Sequence, residues 1–295
     1  MIFRRTLLTG ALAIAARTGI AAEPLAVVVS FSILADLVRE VGGDRVRVAS
    51  LVGPNQDLHE FQPRPSDVAA IAGADLFIIN GLGVEGWTTR IAQAAKVKRP
   101  MVVATRGIKP LVVKEGGHQG TDPHAWQDVR NAKVYVANIR DALAAADPAN
   151  AASYSDRAAN YLDRLTALDA AVRAAYAPIP RVQRRVVTTH DALGYYGNAY
   201  GIDFFAPQGM STEGEPSAKE LANLIRQIKR DRIRALFLEN VGRGVLLQQV
   251  ARETGVRIGG ELFSDALSPP DGPAGTYIDM INNNTRLIAA ALAPA

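Results

Sequence analysis

The chain of 295 residues contains no cysteine. That absence excludes disulfides, thiolate metal sites, cysteine catalysis and lipid attachment through an N-terminal cysteine. It does not place the protein in the cytosol, because many exported proteins of this size need no disulfide. Histidine is almost as scarce, with four in all. After the first residues, no apolar run reaches 18 residues, so nothing there reads as a membrane span. No dense Lys/Arg cluster is present either, which speaks against a phosphate backbone as partner. The formal charge of +4 owes most of its excess to Arg4, Arg5 and Arg17, and without them 30 basic residues face 29 acidic ones. Nucleic acid is therefore not expected as a ligand.

What is present suits folded α/β protein. At 48% hydrophobic and 21% charged, the chain has ample apolar material for a core, and disorder is excluded. Residues 1–22, MIFRRTLLTGALAIAARTGIAA, join a basic start to the apolar stretch Leu7–Ala16 and end in small residues. That is the layout of a cleaved signal peptide. An amphipathic first helix is the plain alternative, and Arg4-Arg5 also resembles a twin-arginine export signal.

From Ala26 onward, short apolar runs alternate with amphipathic stretches: AVVVSFS, VRVASLVG, LFIING and MVVATRG are strand-like, with helices between them. Such alternation predicts parallel sheet covered by helices. Residues 128–147 read as one helix and 148–176 as a long Ala- and Leu-rich helix stopped by Pro178 and Pro180. The alternation then resumes in RRVVTTH, IDFFAPQG, RALFLEN and RIGGELF, before a last helix over 276–292. The reading is a signal peptide (1–22), an N-terminal α/β lobe (23–147), a linker helix (148–177) and a C-terminal α/β lobe (178–295). A ligand is expected in the cleft between the lobes, beyond the carboxyl ends of the strands.

His59 sits in GPNQDLHEFQP, His124 in TDPHAWQD and His190 at the end of RRVVTTH; Asp265 follows RIGGELF. Each lobe would then contribute two residues. Three neutral imidazoles and one carboxylate make a tetrahedral site suited to zinc, while oxygen-rich shells favour manganese. Intervals of 65 and 66 residues between the histidines follow no local rule, and a lone histidine is more often a packing or surface residue.

The segments GPNQDLHEFQPRPSD, DPHAW, THDALGYYGNAYG and GGELFSDALSPPDGPAGTYIDM resemble, in order and spacing, the zinc/manganese periplasmic solute-binding proteins of metal-importing ABC transporters, a ZnuA/TroA-like family. The resemblance covers nearly the whole mature chain. It implies two (β/α)4 lobes joined by a rigid helix, with His59, His124, His190 and Asp265 as metal ligands. The implied cargo is Zn2+, with Mn2+ as alternative. The implied partner is the membrane permease of a zinc ABC transporter, to which a periplasmic metallochaperone can be added. It further implies a periplasmic monomer that is not an enzyme. The long His-rich loop of many zinc importers is here only KEGGHQGTDPH, with His118 its one histidine. Many manganese-binding relatives carry glutamate as third ligand, so His190 tilts the reading to zinc. An adhesin on the same scaffold is a further alternative. A zinc hydrolase is disfavoured, since four protein ligands close the shell and no HExxH pair is present.

Around these four, Glu239 is expected either to bond a ligand histidine or to cap a helix. Glu60, Asp191, Trp126 and Asp271 are expected to be a solvated charge, a helix-start acid, a packing residue and a turn residue. Two expectations concern behaviour. The long helix should keep the lobes fixed, so that metal binding moves mainly the loops of His124 and Asp265. Binding should weaken as the histidines protonate below about pH 6.5.

Overall fold

The computed structural model describes residues 23–96, 101–115, 118–213, 217–242 and 244–293. The predicted signal peptide lies outside the described residues. The first strand, β1 (Leu25–Phe31), is LAVVVSF and is buried from Val27 to its end. β-Branched residues buried on both faces are what the centre of a parallel sheet requires. The strand runs without a loop into α1 (Ser32–Gly42), whose Ile33, Leu34, Leu37, Val38 and Val41 form the buried stripe. There follow β2 (Val46–Val52), α2 (Pro65–Ala72), β3 (Leu76–Ile79), α3 (Thr88–Ala94) and β4 (Val102–Val103). The four strands pair in parallel in the order β2-β1-β3-β4.

Residues 114–124, expected to be a plain loop, instead belong largely to an antiparallel hairpin, β5 (Val112–Glu115) and β6 (His118–Thr121). Its strands are short and carry only two adjacent valines, Val112 and Val113, so no hydrophobic alternation announced them. The Gly116-Gly117 pair between them was the available cue. Next come α4 (Val129–Ala146), capped by the Asp128 carboxylate at Arg130 N, and α5 (Ala151–Tyr176). Pro148–Asn150 forms a separate 3-10 turn ahead of α5. Helix α5, about 39 Å long at 1.5 Å per residue, buries Tyr154, Ala158, Tyr161, Leu165, Leu168, Val172 and Tyr176 along one stripe. That stripe packs on α4, α1 and the last helix.

Beyond α5, the elements are β7 (Arg185–Val187), α6 (Gly194–Tyr200), β8 (Asp203–Phe205), α7 (Ala218–Asp231), β9 (Ala235–Glu239), α8 (Val245–Thr254), β10 (Ile258–Leu262) and α9 (Tyr277–Leu292). The second sheet is also parallel, in the order β10-β9-β7-β8. Numbered within its own half, each sheet reads 2-1-3-4. The two halves thus repeat an architecture that no sequence repeat announces. The apolar core is continuous between them, since Val186, Tyr195, Phe237, Leu262 and Tyr277 join the cluster built on β1, α1, α4 and α5. A smaller cluster of Val187, Leu224, Ile228, Leu236, Leu247 and Val250 covers the other face of the second sheet.

Polar bonds stitch the same boundary. Trp126 Nε1 and Gln127 Nε2 both donate to the Ser264 carbonyl, at 2.8 and 2.6 Å. Leu267 N donates to Ser32 Oγ, Tyr277 N to Asp36 Oδ2 and Tyr277 OH to the Trp126 carbonyl. These groups are buried, so breaking one leaves a polar atom without water to replace its partner. The lobes are therefore held by a shared core and a bonded seam as well as by the long helix.

Candidate metal centre

All four candidate ligands lie where strands end. His59 is in the turn between β2 and α2, His190 three residues past β7, and Asp265 three past β10. His124 follows β6 and opens the 3-10 turn Ala125–Gln127. Their ligand atoms all lie within 4.8 Å of one another. Asp265 Oδ2 is 3.1 Å from both His59 Nε2 and His190 Nε2. His124 Nε2 is 3.3 Å from His59 Nε2 and 3.7 Å from Asp265 Oδ1. A tetrahedron with metal–ligand bonds of about 2.0–2.1 Å has edges of about 3.3–3.4 Å, so the spacing suits a first-row cation. His124, His190 and Asp265 have no side-chain exposure and His59 only 6%. Asp265 Oδ1 is buried without a hydrogen-bond donor, which fits a carboxylate awaiting a cation.

The surroundings orient two of the imidazoles. Asp122 Oδ1 accepts from His124 Nδ1 at 2.8 Å and from His124 N at 2.9 Å. Glu239 Oε1 accepts from the backbone N–H of Thr189 and His190, at 2.8 and 2.9 Å. Its other oxygen lies 2.8 Å from His190 Nδ1, a bent contact between opposite charges. Of the two roles expected for Glu239, bonding a ligand histidine is the observed one. Asp122 turns the outer nitrogen of His124 into a donor, leaving its Nε2 with its lone pair toward the cluster, and Glu239 lies within ion-pair distance of the outer nitrogen of His190. They also bring negative charge up behind the imidazoles, beyond what Asp265 supplies.

Ionisation reflects this crowding. Burial works against a charged His190, yet Glu239 and Asp265 outweigh it and hold the imidazole well above the usual histidine range. Burial would likewise raise Asp265, but His190 and His124 pull it well below the usual carboxylate range. Metal-free protein therefore keeps a proton on His190 at higher pH than a free imidazole would.

Asp122 and Asp57 were not foreseen. Asp57 Oδ1 accepts from His59 N at 2.9 Å. In each case an aspartate stands two residues before a histidine and caps its backbone N–H, a local turn signal that DLH and DPH did carry. Asn80 was missed as well. Its side chain donates to the Pro123 carbonyl at 3.0 Å and accepts from Tyr135 OH, bracing the segment that carries His124. Trp126 is buried as expected, and it also stacks edge-on against His124 with centroids 5.3 Å apart. Glu60 and Asp271 are exposed. Asp191 is half-buried, and α6 starts three residues after it. His118 lies on the β5–β6 hairpin.

Comparison with known proteins agrees with this geometry. The family model described as zinc-uptake complex component A periplasmic matches residues 27–291. The chain is 35% identical over 269 residues to the iron-binding protein YfeA of Yersinia pestis, covering 91% of this chain and 86% of that one. It is 30% identical to the manganese ABC transporter substrate-binding lipoprotein PsaA of Streptococcus pneumoniae, covering 92% and 89%. Among solved structures, the periplasmic zinc binding protein TroA of Treponema pallidum superposes with a TM-score of 0.87 at 31% identity, covering 92% of this chain and 100% of that one. No described helix is long and apolar enough to cross a membrane. The two parallel sheets, the long helix and the matched length agree: the chain belongs to the ZnuA family, the metal-binding substrate-binding proteins of ABC transporters, and is not an enzyme.

Proposed function

We propose that this protein is a periplasmic carrier that binds one Zn2+ through His59, His124, His190 and Asp265 and delivers it to an ABC permease for import. The observation that carries the reading is the donor set itself: three Nε2 atoms and a carboxylate, buried, at spacings of 3.1–3.7 Å among the closest pairs. Nitrogen-rich, four-donor sites with tetrahedral edges favour zinc over manganese. The lobes, taken as residues 23–147 and 178–295 about the linker helix, each supply two ligands. Export by the segment 1–22 is part of the same proposal.

A second reading, manganese or iron as cargo, draws on two observations. Both oxygens of Asp265 face the cluster, which admits a fifth donor atom. Relatives at 30–35% identity are named for iron and manganese. Competition against a chelator of known affinity, run with each metal at neutral pH, separates the readings. Manganese binding equal to or tighter than zinc would remove the zinc assignment.

A further inference from the structure

Three of the four proposed ligands are locked in place. Asp122 holds His124 at Nδ1, and Glu239 holds His190. Asp265 is fully buried next to Ser264, whose carbonyl takes the side chains of Trp126 and Gln127. His59 differs. Among the described residues no carboxylate meets its Nδ1, and it alone of the four keeps some side-chain exposure. It also lines a cavity of about 340 Å3 shared with Phe61, Trp87, Thr121, Met210 and Ser211.

What holds His59 is its backbone. Asp57 Oδ1 accepts from the amides of His59 and Glu60, at 2.9 and 3.4 Å. Asp57 Oδ2 accepts from the Thr212 hydroxyl at 2.8 Å. Thr212 lies between β8 and α7, in the opposite half of the molecule, and is 6% exposed. One carboxylate thus shapes the turn that presents His59 and ties that turn to the other lobe.

We propose that the Asp57–Thr212 hydrogen bond is an interlobe latch that keeps His59 on the ion, and that the ion enters and leaves past His59 through the adjoining cavity. Thr212 is then a positioning residue for metal exchange. The proposal rests on the ligand set proposed above. An ion leaves a buried shell through the donor whose withdrawal costs least, and His59 is the donor with neither a clamp at its ring nor full burial. It gives the motion to the His59 turn in place of the loops of His124 and Asp265, because those two residues are the ones locked.

The test is the rate at which Zn2+-loaded protein releases its ion to an excess of a chromophoric chelator. Thr212→Val removes the hydroxyl at nearly constant shape, and loss of a hydrogen bond to a carboxylate is expected to speed release about tenfold. Thr212→Ser keeps the hydroxyl and should release at the wild-type rate, with the metal-free melting temperature of both variants near that of wild type. A second variant probes the cavity without touching the latch. Gly86 borders it, a Cβ there meets nothing within 4 Å, and its backbone is not left-handed. Gly86→Leu should slow loading and release by the same factor, leaving the dissociation constant unchanged. Wild-type release by Thr212→Val, or equal acceleration by Thr212→Ser, would overturn the latch. Unaltered rates in Gly86→Leu would overturn the route. Loss of equilibrium binding in His59→Ala tests the ligand set separately, so a failed latch and a failed ligand assignment give different results.

Discussion

Replacing Glu239 by Gln is a severe test of how the site works, because the two side chains have the same shape. Glu239 Oε1 takes two backbone N–H groups, from Thr189 and His190, and Oε2 faces His190 Nδ1 at 2.8 Å. A glutamine cannot serve both ends. With its oxygen on the backbone amides, its NH2 faces Nδ1, which must become an acceptor, so the imidazole proton moves to Nε2 and points at the ion. Turned the other way, its NH2 opposes two backbone N–H donors. The first arrangement aims an N–H at the ion, the second sets donor against donor in a buried site, and in both the negative charge behind the imidazole is lost. Removal of such an outer partner usually costs 10- to 100-fold in metal affinity. With tautomer and charge both affected, the expected loss is about 100-fold, or about 2.7 kcal/mol. Chelator competition with Zn2+ measures it, with circular dichroism as a check on folding. The pH profile adds a second readout. In the wild type the elevated His190 pKa makes protons compete from above the ordinary histidine range, so affinity falls as pH drops through that raised value. Without Glu239 that fall should begin at lower pH. Binding within about threefold of wild type, with an unshifted profile, would refute the reasoning.

The other predictions follow from the same geometry. Alanine at His59, His124 or His190 should each weaken Zn2+ binding well over tenfold, whereas His118→Ala should leave it unchanged; near-native affinity in two of the three ligand variants would contradict the assignment. His190→Glu should narrow the zinc–manganese gap by weakening zinc more, as paired chelator competitions can show. Asp36 is pushed up to about 6 by burial, against the lowering effect of its bond from Tyr277 N. A carboxyl raised on folding favours the folded state fully below its unfolded value and loses that contribution as pH rises through 6. Asp36→Asn should therefore gain about 2 kcal/mol relative to wild type between pH 4.5 and 7.5 in urea melts, and a constant difference would sink the idea. Finally, the shared core and bonded seam should keep the lobe orientation nearly fixed between metal-free and metal-bound protein; a rotation of some tens of degrees, seen by scattering or crystallography, would refute this.

Sequence alone carried the architecture far. The buried β-branched run of β1, the amphipathic stripe of α5 and the alternation on either side are local patterns, and local patterns are readable because burial repeats with the period of the backbone. The four residues of the cluster were also legible, through the motifs around them more than through their spacing. What the sequence could not contain is the meeting of distant segments. Glu239 could be named as a possible partner of a ligand histidine, but that this histidine is His190, 49 residues away, follows from β7 and β9 being neighbours in the sheet. Asp57 and Thr212 are 155 apart and meet only across the lobes. The β5–β6 hairpin is short and mostly polar, so its pairing rests on backbone bonds that leave no alternating hydrophobic pattern. The candidate donors were thus readable from residue type and the motifs around them. The tautomer, charge and freedom of each donor were decided by what folding placed behind it, because electrostatics and hydrogen bonding depend on distance in space and not along the chain.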